Sequence, residues 1–498
     1  MNRFFLPGLP SLFHLPSLAL PLALPLALIA CAEQGGDEAG VAESGESGES
    51  GESGESGEGE TEGSVEQLVT WHQDIAPVMA EKCEGCHRDG GIAPFSLETY
   101  EFAAPWAELS LDAIDSGFMP PWGQDNTDEC EPRHGFSDDP RLTADERAQL
   151  QAWIDDGKPE GDPASAAPVP PAAKLTLDDA DLRLTAGELV LEPGKDQFWC
   201  YVIDPGFETN KFIDATQIVA GNESIVHHVL LYIDETGAAE AKADENGRYP
   251  CFGGPGLSQP TLVSAWAPGV PPGVMPKEVA MMIPAGAKLV MNVHYHPTGD
   301  TQTDPGTSVD LRYATDGPLY LGQLLLMGNF SGSLGGGMGL QPGPNDSTDS
   351  PEFRIPAGAV GHTETMIFRL PAGIPELKLW SAGTHMHYVG TDMLLGLQRA
   401  EPEAGTGIES ECLLQTPRYD FNWQRGYQYD APFKDLPTAK AGDYLYMRCT
   451  YDNSMGNKHV AAALAEQGLD APVDVYLGED TLDEMCLGVY GIAYSLLP

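Results

Sequence analysis

The sequence predicts a multidomain protein: a small all-α unit followed by two all-β, jelly-roll-like sandwiches. Three observations predict it. At 498 residues the chain is long enough for about three domains. Near its start, Trp71, Ile75, Val78 and Met79 recur at helical spacing. After a Pro- and Ala-rich linker (163–175), the pattern changes to short β runs at close spacing, punctuated by turns.

Residues 1–31 read as an export signal. Arg3 precedes an apolar stretch from Leu15 to Ile29, and Leu28-Ile29-Ala30-Cys31 has the form of a lipobox, in which Cys31 is lipidated and becomes the mature N-terminus. An ordinary signal cut nearby, with Cys31 unmodified, is the alternative. Pro16, Pro21 and Pro25 interrupt the apolar run, which argues against a spanning helix, and nothing later is long and apolar enough to cross a bilayer. A lipid anchor is therefore the only membrane contact expected. The expected location is the cell envelope, periplasmic or anchored to the outer membrane, which Ala32 favours because it stands where an inner-membrane retention signal often has Asp. Residues 32–66, mainly Gly, Ser and Glu, cannot bury a core, so they read as an extended tether. A formal charge of −49 argues against nucleic-acid partners and anionic surfaces, and leaves a neutral small molecule open.

The helical unit spans 67–162. Thr143 with Glu146 predicts a capping box, Leu150, Trp153 and Ile154 one apolar face, and Gly157 the helix stop. Within the unit lies Cys83-Glu84-Gly85-Cys86-His87. Two thiols at this spacing add to haem vinyl groups, and the adjacent His87 becomes an axial iron ligand. A redox or zinc Cys-x-x-Cys pair is disfavoured by the immediate histidine. Met119, in Phe118-Met119-Pro120-Pro121-Trp122, is the preferred second axial ligand and His134 the alternative, while Met79 reads as core. The run from Gly90 to Phe95, with this Met-Pro-Pro-Trp segment, resembles cytochrome c modules attached to exported oxidoreductases. That resemblance implies one covalent haem c.

Strands are expected at Phe198–Ile203, Ile225–Ile233, Leu289–His294, Met366–Leu370 and Tyr444–Cys449. Pro-Ala-Gly turns follow Ile283, Ile355 and Leu370. The stretch is too long for one sandwich, so we divide it at about residue 317 into 176–316 and 317–498, with 331–350 a low-complexity insertion. Six of the twelve histidines fall in three motifs: His227-His228, His294-Tyr295-His296 and His385-Met386-His387. His385 and His387, two apart, point to one face of a strand, as a chelate requires, and so do His294 and His296. His227 and His228 are adjacent, so both can serve one metal only at a bulge or strand end. Met291 and Met386 read as core or spacer residues. Of nine cysteines, Cys31 is assigned to lipid and Cys83 and Cys86 to haem, which leaves six for disulfides in an exported chain.

These motifs resemble the copper type II, ascorbate-dependent monooxygenases, the family of peptidylglycine and dopamine hydroxylases. The resemblance covers residues from about 176 to the end and implies two sandwiches, each holding one copper. His227, His228 and His294 match the electron-transfer copper, with His294 preferred over His296 only by the family's register. His385, His387 and Met485, in Asp483-Glu484-Met485-Cys486, match the O₂-activating copper. The family's register also implies a Cys449–Cys486 disulfide. The implied activity is hydroxylation of a C–H bond in a small organic substrate by O₂, with electrons from an ascorbate-like reductant or a redox protein, here through the haem. Gly383, Leu487 and Val489 stand where peptidylglycine enzymes hold the substrate carboxylate, which implies a less polar substrate. The alternative is a non-catalytic haem and copper electron-transfer or copper-binding envelope lipoprotein.

Overall fold

A computed structural model describes residues 68–495, except 90, 92, 172–175, 195, 253, 259, 316, 330–338, 348–349, 479 and 481. The signal, the tether and Cys31 lie outside the described residues. The described chain is mainly strand with few helices.

Its first part is helical. A π-turn at Trp71–Ile75 runs into the helix Ala76–Lys82, and Ala107–Asp115 and Ala144–Asp155 complete the framework. Trp71, Ile75, Met79, Leu111, Leu150 and Trp153 form its core, with the Trp71 and Trp153 rings 5.8 Å apart. The last helix starts at the expected capping box: Thr143 Oγ1 accepts the Glu146 N–H, and Glu146 Oε2 accepts the Thr143 N–H. Gly157 follows its end at a φ of +79°, a conformation open to glycine.

Between the second and third of these helices, residues 122–137 form a strap against the β-rich part. Trp122 is buried in the large β core, Phe136 bridges to Tyr429, and a disulfide joins Cys130 to Cys412. Arg133 reaches Glu403 and Glu411, each at 2.8 Å.

The β-rich part divides into layers. In the first half, Leu182–Thr185, Ser308–Tyr313, Lys211–Val219 and Val279–Ile283 form one layer. Thr261–Trp266, Val226–Asp234, Lys288–Tyr295, Gln197–Ile203 and Arg248–Pro250 form the other. In the second half, Leu377–His385 pairs with Cys486–Ser495, and Val360–Arg369, Tyr444–Asp452, Gly390–Gln398 and Ser410–Thr416 form a separate four-stranded sheet. Inward-facing Leu231, Leu289, Val309, Leu311, Leu379, Leu395 and Met447 all join one core. The strand Tyr320–Asn329 connects the halves. It pairs with Cys486–Ser495 along its whole length and with Val279–Ile283 and Thr261–Trp266 at its other edge.

The expected strands are present, most with longer bounds. The run expected at Met366–Leu370 begins at Val360, because His362 and Glu364, bonded to each other at 2.8 Å, occupy buried positions and break the apolar alternation. The helix Lys458–Glu466 was not expected; Asn457 caps it by accepting the His459 N–H. Cys449–Cys486 is bonded, as the resemblance implied, and Cys200–Cys251 is the third bridge. Three disulfides point to an oxidising, exported setting. Among the described residues no helix is long and apolar enough to cross a membrane.

Candidate metal centres

His227 and His228 open the strand Val226–Asp234, and His294 lies near the end of Lys288–Tyr295 beside it. His294 pairs with His228, but Tyr295 pairs with Val226. His227 is thus the extra residue of a β-bulge, which turns two adjacent side chains toward one point. His228 Nδ1 lies 3.2 Å from His227 Nδ1 and 3.3 Å from His294 Nδ1, and the three ligand atoms fall within 4.8 Å of one another. Three imidazole nitrogens crowded together suit a borderline cation.

Asp196 braces this cluster. Its Oδ2 accepts from His294 Nε2 at 2.9 Å, leaving Nδ1 of His294 as the free nitrogen, and its Oδ1 bonds His296 Nδ1 at 2.8 Å. His296 is exposed and turned to this carboxylate, outside the cluster. Burial pushes the Asp196 carboxyl up, but its bonds to His294 and His296 outweigh that and hold it well below the ordinary range. Burial, helped by His294, pushes His227 down to about 4, and His228 falls well below its ordinary value for the same reasons. Both imidazoles are therefore neutral, as metal ligation requires.

The second set lies on the other half. His385 ends the strand Leu377–His385 and pairs with Leu487; two residues beyond that pair on either chain stand His387 and Met485. His385 Nδ1 donates to Gln424 Oε1, and His387 Nδ1 donates to the Asp483 carbonyl at 3.0 Å. With Nδ1 committed, Nε2 is the free nitrogen on both rings. Met485 is buried, its N–H bonded to Glu484 Oε1 at 2.7 Å, and the same oxygen accepts the His387 N–H. Burial pushes the Glu484 carboxyl up to about 8. Burial, with His385 beside it, pushes His387 down to about 3, and burial also lowers His385. Met291 and Met386 are fully buried core.

One side chain touches both sets. The Phe421 ring stacks on His227 at 5.2 Å and meets His387 edge-on at 6.0 Å. Asp196, Gln424 and Phe421 escaped the sequence reading. They are remote in sequence from the histidines they contact, and nothing in the local pattern distinguishes them.

In the helical part, Cys83 and Cys86 are free thiols, whereas the six other described cysteines are paired. Burial, then Glu84, pushes the Cys83 thiol up to about 12. His87 Nδ1 donates to the Phe95 carbonyl at 3.1 Å, which leaves Nε2 free. Met119 is half-buried on the loop after Ala107–Asp115, its N–H bonded to the Ala113 carbonyl. His134 is bonded through Nε2 to the Asp435 carbonyl of the β-rich part.

No family model and no curated protein matches the chain. Among solved structures it is similar to PNGase F, a glycosylasparaginase from Flavobacterium meningosepticum, at 9% identity and a TM-score of 0.25, over 64% of this chain and 96% of that one. It is also similar to the N-terminal CBM22-1-CBM22-2 tandem domain of Paenibacillus barcinonensis Xyn10C, at 9% identity and a TM-score of 0.17, over 61% and 82%. Likenesses this slight carry no argument about fold or function.

Proposed function

We propose that this chain is an exported copper monooxygenase carrying its own covalent haem c, which hydroxylates a C–H bond of a small organic substrate with O₂. The observation that carries this reading is the pair of ligand sets on either side of Phe421. One is a cluster of three imidazoles with converging Nδ1 atoms, the other a His-x-His pair with free Nε2 atoms beside a methionine. His227, His228 and His294 would hold one copper, and His385, His387 and Met485 the other. Imidazole suits both copper oxidation states and a thioether favours Cu(I), so bound copper would supply one-electron relay at the first site and O₂ activation at the second.

The remaining residues orient and exclude. Asp196, Gln424 and the Asp483 carbonyl fix the tautomer of His294, His385 and His387 respectively. On the neighbouring strand the partners of Gly383 and His385 are the apolar Val489 and Leu487, which favours a less polar substrate. The free Cys83 and Cys86, with His87 held by Phe95, support covalent haem attachment as the electron feed, supplied by an ascorbate-like reductant or a redox protein. A lipid on Cys31 completes the proposed envelope anchoring.

Copper and haem analysis of the signal-free protein tests this. We expect two coppers per haem, with one copper lost in Met485→Ala and one in His227→Ala, and O₂ uptake that depends on a substrate. One copper or none, with intact haem, would reduce the chain to an electron carrier on this scaffold.

A further inference from the structure

The segment from Phe421 to Arg425 lies against both histidine sets and against the strap at 122–137. Phe421 touches His227 and His387, and Gln424 holds His385. Arg425 points the other way, toward the helical part. Its guanidinium lies 4.6 Å over the Trp122 ring of the strap and near enough to Cys86 for the two to interact electrostatically.

Arg425 is unlike the other arginines at this junction. Arg418 pairs with Asp125 at 2.7 Å, and Arg141 pairs with Asp139 at 2.6 Å. Among the described residues no carboxylate forms an ion pair with Arg425, and its Nε is buried without a hydrogen-bond partner. The guanidinium is half-buried, and Asp138 and Asp139 act on it through space without forming an ion pair. It faces a cavity of about 350 Å³ also lined by Phe118, Trp122, Thr384 and Gln424. That cavity therefore lies between the Met119 loop and the strand that ends at His385. An anion belonging to the helical part would satisfy this charge, and a haem attached at Cys86 carries two propionate carboxylates.

We infer that Arg425 takes up a carboxylate of the haem carried on Cys83 and Cys86, and that the segment Phe421–Arg425 is the electron junction between that haem and the His385–His387 metal site. The inference rests on the haem and copper reading above. The step is a one-electron exchange: ferrous haem iron is oxidised to ferric and one cupric ion is reduced to cuprous, with no bond made or broken. The route enters at Gln424 and His385, so it does not require the three-histidine site as an intermediate.

The test uses the full mature chain, loaded with haem and copper, as wild type, Arg425→Met and Arg425→Lys. Spectroelectrochemistry gives the haem potential. Pulse reduction of the oxidised protein by less than one equivalent of a photogenerated reductant follows the decay of the ferrous haem band. Arg425→Met should lower the haem potential, because a positive charge that disfavours ferric iron is gone, and Arg425→Lys should restore most of it. Ferrous haem should also decay about tenfold more slowly in Arg425→Met, although the lower potential alone would hasten it. An unmoved potential or an unslowed decay, at wild-type haem and copper content, overturns the inference and leaves the proposed function standing. Haem without copper in the wild type sinks the proposed function instead, while the potential still reads the Arg425 contact.

Discussion

Asp196 serves two imidazoles with one carboxylate, and only one of them belongs to the three-histidine cluster. Its bond to His294 Nε2 fixes which nitrogen of that ring is free, whereas its bond to His296 holds an exposed side chain. The two roles separate by mutation. If the proposed copper binds the three-histidine site, Asp196→Ala should weaken it about 10–100-fold, the usual cost of losing the group that orients a ligating histidine, while His296→Ala should leave affinity nearly unchanged. Competition with a chromophoric chelator measures both, and equal losses would show that His296 ligates. The histidines themselves were legible, because spacing along a strand fixes which side chains share a face. What spacing could not supply was the bulge at His227, which depends on the register with the His294 strand. Asp196 was hidden for a related reason: it stands 98 residues before His294, and a lone acidic residue there has no periodicity to mark it.

Strands were easier to read than connections. Runs such as Val229–Ile233 and Leu289–Val293 concentrate β-branched and apolar residues, and the sheet forms where they occur. The strap at 122–137 has no such pattern, since each of its anchors meets a different part of the β surface: Trp122 the core, Phe136 the Tyr429 ring at 5.2 Å, Glu129 the guanidinium of Arg448. The helix Lys458–Glu466 was missed because its Ala-rich, short sequence stands among strands. Cys130–Cys412 fastens the strap across a sequence separation of 282 residues. Replacing both cysteines by Ser should cost about 2–4 kcal/mol in chemical denaturation, the usual worth of a bridge that closes a long loop. Because Arg418 and Arg425 meet the same strap, the loss should appear in the stability of the helical and β-rich parts together. A loss confined to the helical part would mean that the strap is held by its ion pairs and aromatic contacts alone.

Across the whole molecule, the two β halves are not separate beads. Tyr320–Asn329 pairs residue for residue with Cys486–Ser495 and also edges Val279–Ile283 and Thr261–Trp266 of the first half. Unfolding one half would strip a partner from the strand the other half uses, so metal-free protein should melt its β-rich part in one calorimetric transition. That transition should also depend on pH with a definite sign. His227, His228, His385 and His387 all have folded values below 6.5, the first at about 4 and the last at about 3, because burial disfavours their charged form. Between about pH 6.5 and 4.5 the unfolded chain therefore takes up more protons at these four sites than the folded chain does, and stability falls as pH falls. Glu484 acts oppositely, since burial lifts it to about 8 and its unfolded form gives up a proton that the folded form keeps. Glu364, raised by burial, and His296, raised by its bond to Asp196, act with Glu484, and the four depressed imidazoles still outnumber these three. Calorimetry of metal-free protein at pH 7 and pH 5 should thus show one transition, lower at pH 5, and His227→Gln should reduce the difference. Two transitions at either pH would mean that the shared strand does not couple the halves, and a higher transition at pH 5 would mean that the buried histidines do not govern this part of the fold.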